Sequence, residues 1–286
     1  MPIEDFIIEI YVFVDNFLKG YKKLRQRGPA PALSDAEVIT IEIVGEFLGF
    51  GTDKAIFDYF KNHWKPWFPN LSSRPPFVKQ VANLWCIKEE LRKHIVTIIR
   101  PDNDLFLFDG FPIPTCHKKR VRSKNPLKGI GGFGYCAAKD QKYFGFKGHL
   151  LTTQQGLILN FTITAANVDE RDVLPELVTQ CRGTIIADKG LIRSQLTQEL
   201  ARNSLKLETP LRNNMKESRS KDYINQIMDI RRTIETVISQ LVQRFKFQTI
   251  RAKDQWHLTA KAGRKILAHT MAFFLQKSLL FDAILA

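Results

Sequence analysis

The chain has 286 residues, 44% of them hydrophobic and 25% charged, which excludes a disordered polymer and a disulfide-stapled mini-domain and leaves room for one large domain or two modest ones. Its net charge of +14 sits in two windows: nine Lys and Arg against Asp140 alone between His117 and Lys147, and seven against Asp254 alone between Arg244 and Lys265, with 27 basic and 27 acidic residues elsewhere. Concentrated cations on a neutral body are the footprint of a polyanion partner, although charge runs by themselves fit solvated surfaces as well.

The apolar opening MPIEDFIIEIYVFVDNFL carries Glu4, Asp5, Glu9 and Asp15 and lacks a basic start, so it does not read as a signal peptide. No run reaches the ~18 apolar residues of a spanning helix, and a soluble chain with no membrane partner is expected. Cys86, Cys116, Cys136 and Cys181 are far apart and form no C-x-x-C pair, which points to reduced thiols in a cytoplasmic protein.

Residues 1 to 100 read as an all-helical N-terminal domain. Ile3, Phe6, Ile7, Ile10, Tyr11, Val14 and Phe17 recur at helical spacing. Ser34 and Glu37 form a capping-box pattern that opens a second helix, which ends near Gly49 and Gly51. Further helices are expected over 53–62 and 77–99. Such a block suits packing or DNA binding equally.

From residue 101 the texture changes. Leu105–Phe108 reads as a buried strand ending at Asp109, with Pro112 and Pro114 expected to stop ladder pairing. KYFGFKGHLLTT and LILNFTITAAN flank a hairpin turn at Gln154–Gly156. A helix over VDERDVLPELVTQ follows, then the strand GTIIA, a helix at SQLTQELARNS and the strand LKLETPLR. Long helices are expected over 229–245 and 257–280. The order predicts a mixed α/β sheet flanked by helices, with residues 101–286 as one domain.

Two aspartates end buried strands, Asp109 after LFLF and Asp188 after TIIA, and strand ends are where open α/β sheets place their sites. A third acid, Glu235, falls about 100° from Ile234 on the helical wheel, at the border of the apolar stripe of Ile227, Ile230, Val237, Ile238, Leu241 and Phe245. Three converging carboxylates repel one another unless hard cations neutralise them, and oxygen ligands select Mg²⁺ or Mn²⁺. Two such ions would suit in-line phosphoryl displacement. Each acid also has a local reading: Asp109 and Asp188 as turn residues, Glu235 as a surface partner of Arg231. Gly129-Ile-Gly131-Gly132-Phe-Gly134 opens onto no helical pattern and is a weak phosphate loop. His149 reads as a packed or hydrogen-bonded histidine, His117 as DNA-facing and Trp256 as a core residue. Asn167 or Asp169 reads as the cap of the following helix.

Asp109-Gly-Phe-Pro-Ile-Pro-Thr-Cys116-His117, Gly145-Phe-Lys-Gly-His149-Leu, Ala166-Asn167-Val-Asp169-Glu-Arg171, Ala187-Asp188-Lys189-Gly190 and Arg231-Arg232-Thr-Ile-Glu235-Thr-Val-Ile-Ser-Gln240-Leu occur in this order. The set resembles the bacterial insertion-sequence transposases of the DDE type, which have a ribonuclease-H-like core. The resemblance implies a ribonuclease-H-like catalytic domain and a metal-dependent DNA transposase that cuts element ends and joins the 3′-hydroxyl to target DNA. It makes Asp109, Asp188 and Glu235 the metal-binding catalytic triad, holding two Mg²⁺ or Mn²⁺ ions. Double-stranded DNA, terminal inverted repeats and target alike, is the implied partner, bound by a homodimer or higher oligomer at the nucleoid. With the two basic windows, this makes Lys118, Lys119, Arg120, Arg122, Lys124, Lys189, Arg231, Arg251 and Lys253 the expected DNA contacts. A ribonuclease-H-like nuclease without strand transfer, or an inactive transposase-derived DNA-binding protein, are the alternatives. The chain departs from the family at Leu191, where Tyr is usual, and at Met228 and Val242, where related transposases carry Tyr and Lys.

Overall fold

The structure is a computed structural model. It describes residues 2–21, 30–99, 104–117, 119, 121, 127–136, 140–212 and 214–285, with only the backbone of 278–285. The chain divides into two compact units, Met1–Ile98 with Gln243–Ala286, and Ile99–Val242.

The first unit is helical: α1 Ile3–Lys19, α2 Asp35–Phe47, α3 Asp53–His63, α4 Arg74–Asn83, α5 Trp85–Ile99 and, from the far end of the chain, α9 Gln255–Leu285. The capping box at α2 is present: Glu37 N–H donates to Ser34 Oγ, and Ser34 N–H to the Glu37 carboxylate. The helix expected over 77–99 is two helices that break at Leu84. The first of them starts earlier than expected because Pro75 and Pro76 occupy its opening turn, where no N–H is needed. Lys88, just past the break, donates to the carbonyl of Val81.

The sequence places both C-terminal helices with the sheet; the compact units correct this, keeping residues 229–242 there and grouping α9 with the N-terminal helices. Helix α9 packs on α2 through buried charge. Arg264 reaches Glu46 at 2.6 Å, Asp53 at 2.6 Å and Glu42 at 3.2 Å, and Lys265 reaches Glu46 at 2.7 Å. Lys88 binds Glu42 at 2.9 Å, and Lys261 binds Asp53 at 3.2 Å. Burial opposes the charge on Asp53, yet Arg264 and Lys261 outweigh it and hold its carboxyl at about 2. Lys261, Arg264 and Lys265 all come from the second basic window, so part of that window is a structural ion cluster rather than a polyanion surface. Arg244, from the same window, lies over the Phe47 ring at 4.0 Å. Trp256, expected in a core, is 48% exposed and meets Trp85 edge-on.

The second unit is a six-stranded mixed sheet with helices. Its strands are β1 Leu105–His117, β2 Gly132–Cys136, β3 Gln141–Thr153, β4 Ile158–Ala165, β5 Gly183–Ile186 and β6 Leu205–Glu208. Its helices are α6 Glu170–Leu177, α7 Ser194–Arg202 and α8 Lys221–Gln243. The path runs β2-β3-β1-β5-β6, and β4 shares the outer edge of β3 with β2. Strands β1, β3 and β4 form the antiparallel meander, while β5 and β6 run parallel to β1. This is the ribonuclease-H-like arrangement. Phe106, Phe108, Leu151, Val173, Leu174, Ile185, Leu191, Leu196 and Leu200 form the core between sheet and helices.

Two expectations are corrected. The prolines do not end β1: Pro112 pairs with Lys147 and Pro114 with Gly145. Two residues apart, both direct their missing donor to the same side, and β5 has already ended there at Ile186, so that side is an edge. Strand β2 went unread because its inward positions are Gly132 and Gly134, while Phe133 and Tyr135 are more than half exposed.

Candidate active site

The ladder itself brings the two aspartates together. Leu105, Phe106 and Leu107 pair in parallel with Thr184, Ile185 and Ile186, a constant offset of 79 residues. Asp109 and Asp188 stand at that same offset just beyond the last pair. Strand β1 runs on past Asp109, so the position marks the end of the parallel ladder rather than of the strand. Asp188 caps a short 3-10 turn at Lys189–Leu191. Leu191, where the family usually has Tyr, is buried in the core.

The third acid arrives on α8. Its buried residues Ile227, Ile234, Val237 and Leu241 seat the helix on the unit. Upstream, Arg219 pins the loop after β6, reaching Glu208 at 2.6 Å, Glu217 at 2.8 Å and the carbonyl of Thr209 at 3.0 Å. The Glu235 side chain is 53% exposed, further out than the helical wheel placed it.

Arg231 lies between the three acids. Its Nη2 is 3.2 Å from Asp109 Oδ2 and 3.8 Å from Asp188 Oδ1, and its Nη1 is 3.2 Å from Glu235 Oε1. The local readings hold as well: Gly110 N–H donates to Asp109 Oδ1 at 2.8 Å and Gly190 N–H to Asp188 Oδ2 at 3.3 Å. Arg231, expected on the DNA, is 13% exposed and faces inward. Burial pushes the Asp109 carboxyl up to about 6; Arg231 and the Gly110 N–H oppose this, and Glu170 and Asp188 add to it.

Three carboxylates with oxygen-only donors suit Mg²⁺ or Mn²⁺, and the cluster already gathers one cationic group. Among the described residues no three acid, imidazole or thiol groups are arranged to hold a metal ion, and the Arg231 guanidinium stands between the three acids.

The other expected residues scatter. Lys189 is exposed immediately after Asp188, and Lys119 is exposed beyond the end of β1. Arg251 and Lys253 are exposed in the helical unit. Lys118, Arg120, Arg122 and Lys124 lie outside the described residues. An open cleft of about 510 Å³ beside Asp188 is lined by Lys189, Gly190, Arg212 and Asn214. Sequence reasoning missed Arg212, which no periodicity marks, and Glu170, which follows the capping Asp169 and acts electrostatically on Asp109. His149 is fully buried, stacks on Phe108, and burial followed by Lys147 lowers its imidazole to about 4.

Fold and site together define a ribonuclease-H-like domain with an acid cluster at the end of its parallel ladder. The family model described as "Transposase DDE domain" matches residues 102–255, just over half of the chain, and the chain belongs to that family. DDE transposase domains use divalent metal ions. No curated protein matches the sequence. Among solved structures, the chain is similar to the cryo-EM structure of the piggyBac transposase synaptic complex with hairpin DNA. The TM-score is 0.51 at 12% identity, over 96% of this chain and 72% of that one, a likeness of fold.

Proposed function

We propose that the chain is an insertion-sequence transposase that cuts element ends and joins the freed 3′-hydroxyl to target DNA, with Asp109, Asp188 and Glu235 as its catalytic acids. The observation that carries this reading is the convergence of those three carboxylates on Arg231. Asp109, Asp188 and Glu235 would hold divalent cations, whose charge would activate an attacking hydroxyl and stabilise the leaving oxygen. The chain's own contribution is positional. The ladder fixes the two aspartates at one offset, and α8 carries the glutamate to them. Arg231 offsets their repulsion until cation and DNA arrive. Lys189 and Arg212 flank the cleft beside Asp188 and suit a phosphate backbone. Lys118, Lys119, Arg120, Arg122, Lys124, Arg251 and Lys253 extend that role.

The test is a reaction on DNA carrying the inverted repeats that flank the gene, in Mg²⁺ and in EDTA. Mg²⁺-dependent cleavage and joining is expected. Cleavage without joining would favour a nuclease, and binding without chemistry a transposase-derived regulator.

A further inference from the structure

We propose that Phe133 and Tyr135 of β2 form a stacking platform for unpaired bases of a single DNA strand. This rests on the reading of DNA as the partner, and not on the catalytic role of the three acids.

Strand β2 is built to turn its aromatic residues outward. Its inward positions, Gly132 and Gly134, lie flat on β3 and on the segment after β4. A Cβ at Gly132 would stand 1.9 Å from Asn167 Oδ1, and one at Gly134 would stand 2.8 Å from the Tyr143 ring and 2.9 Å from Ala166 Cβ. A one-residue slip that turned the rings inward would drive them into those atoms. Phe133 and Tyr135 are therefore 53% and 58% exposed, on a strand that ends the sheet path. Large apolar rings on an edge strand are a hazard that folds avoid unless a partner covers them. Both rings are also oriented in advance. Phe133 meets Phe144 edge-on at 5.3 Å between centroids, and the Tyr135 hydroxyl donates to Asp140, the one acid of the first basic window.

Register and charge identify the partner. Cross-strand neighbours face the same side of a sheet, and sides alternate along each strand. Asp109 pairs with Leu150, Phe133 with Phe144 and Tyr135 with Lys142, and positions 150, 144 and 142 share one face of β3. The platform and Asp109 thus stand on the same face, 150 − 144 = 6 residues apart along β3, or about 20 Å. Lys142 opposite Tyr135 and Lys128 ahead of β2 are exposed, so cations for phosphates adjoin rings for bases. In a duplex the flat faces of bases are covered by neighbours ~3.4 Å away. Residues two apart on a strand stand ~7 Å apart, so bases that rest on both rings are unstacked from each other. That is the state of a single strand.

The experiment is binding of the full chain, in EDTA, to a labelled oligothymidylate and to a duplex of equal length. Anisotropy at several salt concentrations reads affinity, and sedimentation reads assembly. Phe133→Leu with Tyr135→Leu keeps apolar bulk and removes the flat faces. Single-strand affinity is expected to fall about tenfold or more for each ring, with duplex affinity and salt slope unchanged. Phe133→Trp, which enlarges the face, should bind the single strand at least as tightly as wild type. Lys142→Gln should instead lower the single-strand salt slope by about 0.7. Wild-type single-strand affinity in the double variant would overturn the proposal. Equal losses on single strand and duplex would overturn it too, because the rings would then serve the fold or DNA of any form. A dimer that the double variant turns into a monomer, at unchanged DNA affinity, would assign the face to a second copy and overturn it likewise. If the wild type binds neither DNA, the partner reading fails; if it binds both and the double variant matches it, the platform alone fails.

Discussion

Asp109→Asn should make the sheet unit more stable at neutral pH, not less. The Asp109 carboxyl is pushed up to about 6 from an ordinary value near 3.8, with burial the main cause. That gap is worth about 3 kcal/mol when the group is ionised. A folded-state value above the unfolded one means that the fold holds the proton more tightly than the unfolded chain. The stability linked to that proton is complete below about pH 4 and is lost as pH rises through about 6. Asparagine keeps the shape and never ionises. The variant should therefore gain up to about 3 kcal/mol over wild type near pH 8 in EDTA, with almost no difference near pH 4. All four tryptophans, Trp64, Trp67, Trp85 and Trp256, lie in the helical unit, so their fluorescence is blind to this change. Hydrogen exchange at the β1 amides is the suitable assay, with about a hundredfold slower exchange expected in the variant near pH 8. Equal exchange near pH 8, or a difference that persists near pH 4, would refute the claim that burial penalises the Asp109 charge.

Three other outcomes follow from the same structure. Arg264→Met removes the shared partner of Glu42, Glu46 and Asp53 and should cost about 3–5 kcal/mol in thermal unfolding; a change under 1 kcal/mol would mean that the buried acids find other compensation. Gly183→Ala should cost about 1–3 kcal/mol, because φ is +112° and the new Cβ would lie 2.2 Å from the Asp104 carbonyl at the start of the β1–β5 ladder; unfolding at the wild-type temperature would contradict it. Replacing Lys189, Arg251 and Lys253 together with Gln should flatten the salt dependence of DNA affinity by up to about 3 in logarithmic slope, and an unchanged slope would remove them from the interface.

The sheet was legible because its strands carry strong apolar runs bounded by glycine, as at Gly183 and Gly156. The acids were legible for the same reason: LFLF and TIIA end at Asp109 and Asp188, and the chain spacing between the two equals the ladder register. What escaped depended on long-range packing. No local pattern states that Arg264 and Lys265 neutralise acids on α2, so α9 read as part of the catalytic domain, and its charge read as a polyanion surface. Strand β2 hides its pattern because glycine faces inward. The opening turns of α8 follow a polar run, so the helix reads as starting near Asp229, whereas it starts at Lys221, where Ser220 caps it, its hydroxyl accepting from Tyr223 N–H. The central place of Arg231 is a matter of side-chain direction, which spacing alone does not give.

The most direct test of the account is single-turnover, Mg²⁺-dependent joining of inverted-repeat ends to target DNA by the wild type and by Asp109→Asn, Asp188→Asn and Glu235→Gln. If the three acids act as one cation-dependent centre, each variant should retain DNA affinity near wild type and lose joining by at least about a hundredfold. Joining at the wild-type rate by any one of the three would contradict it.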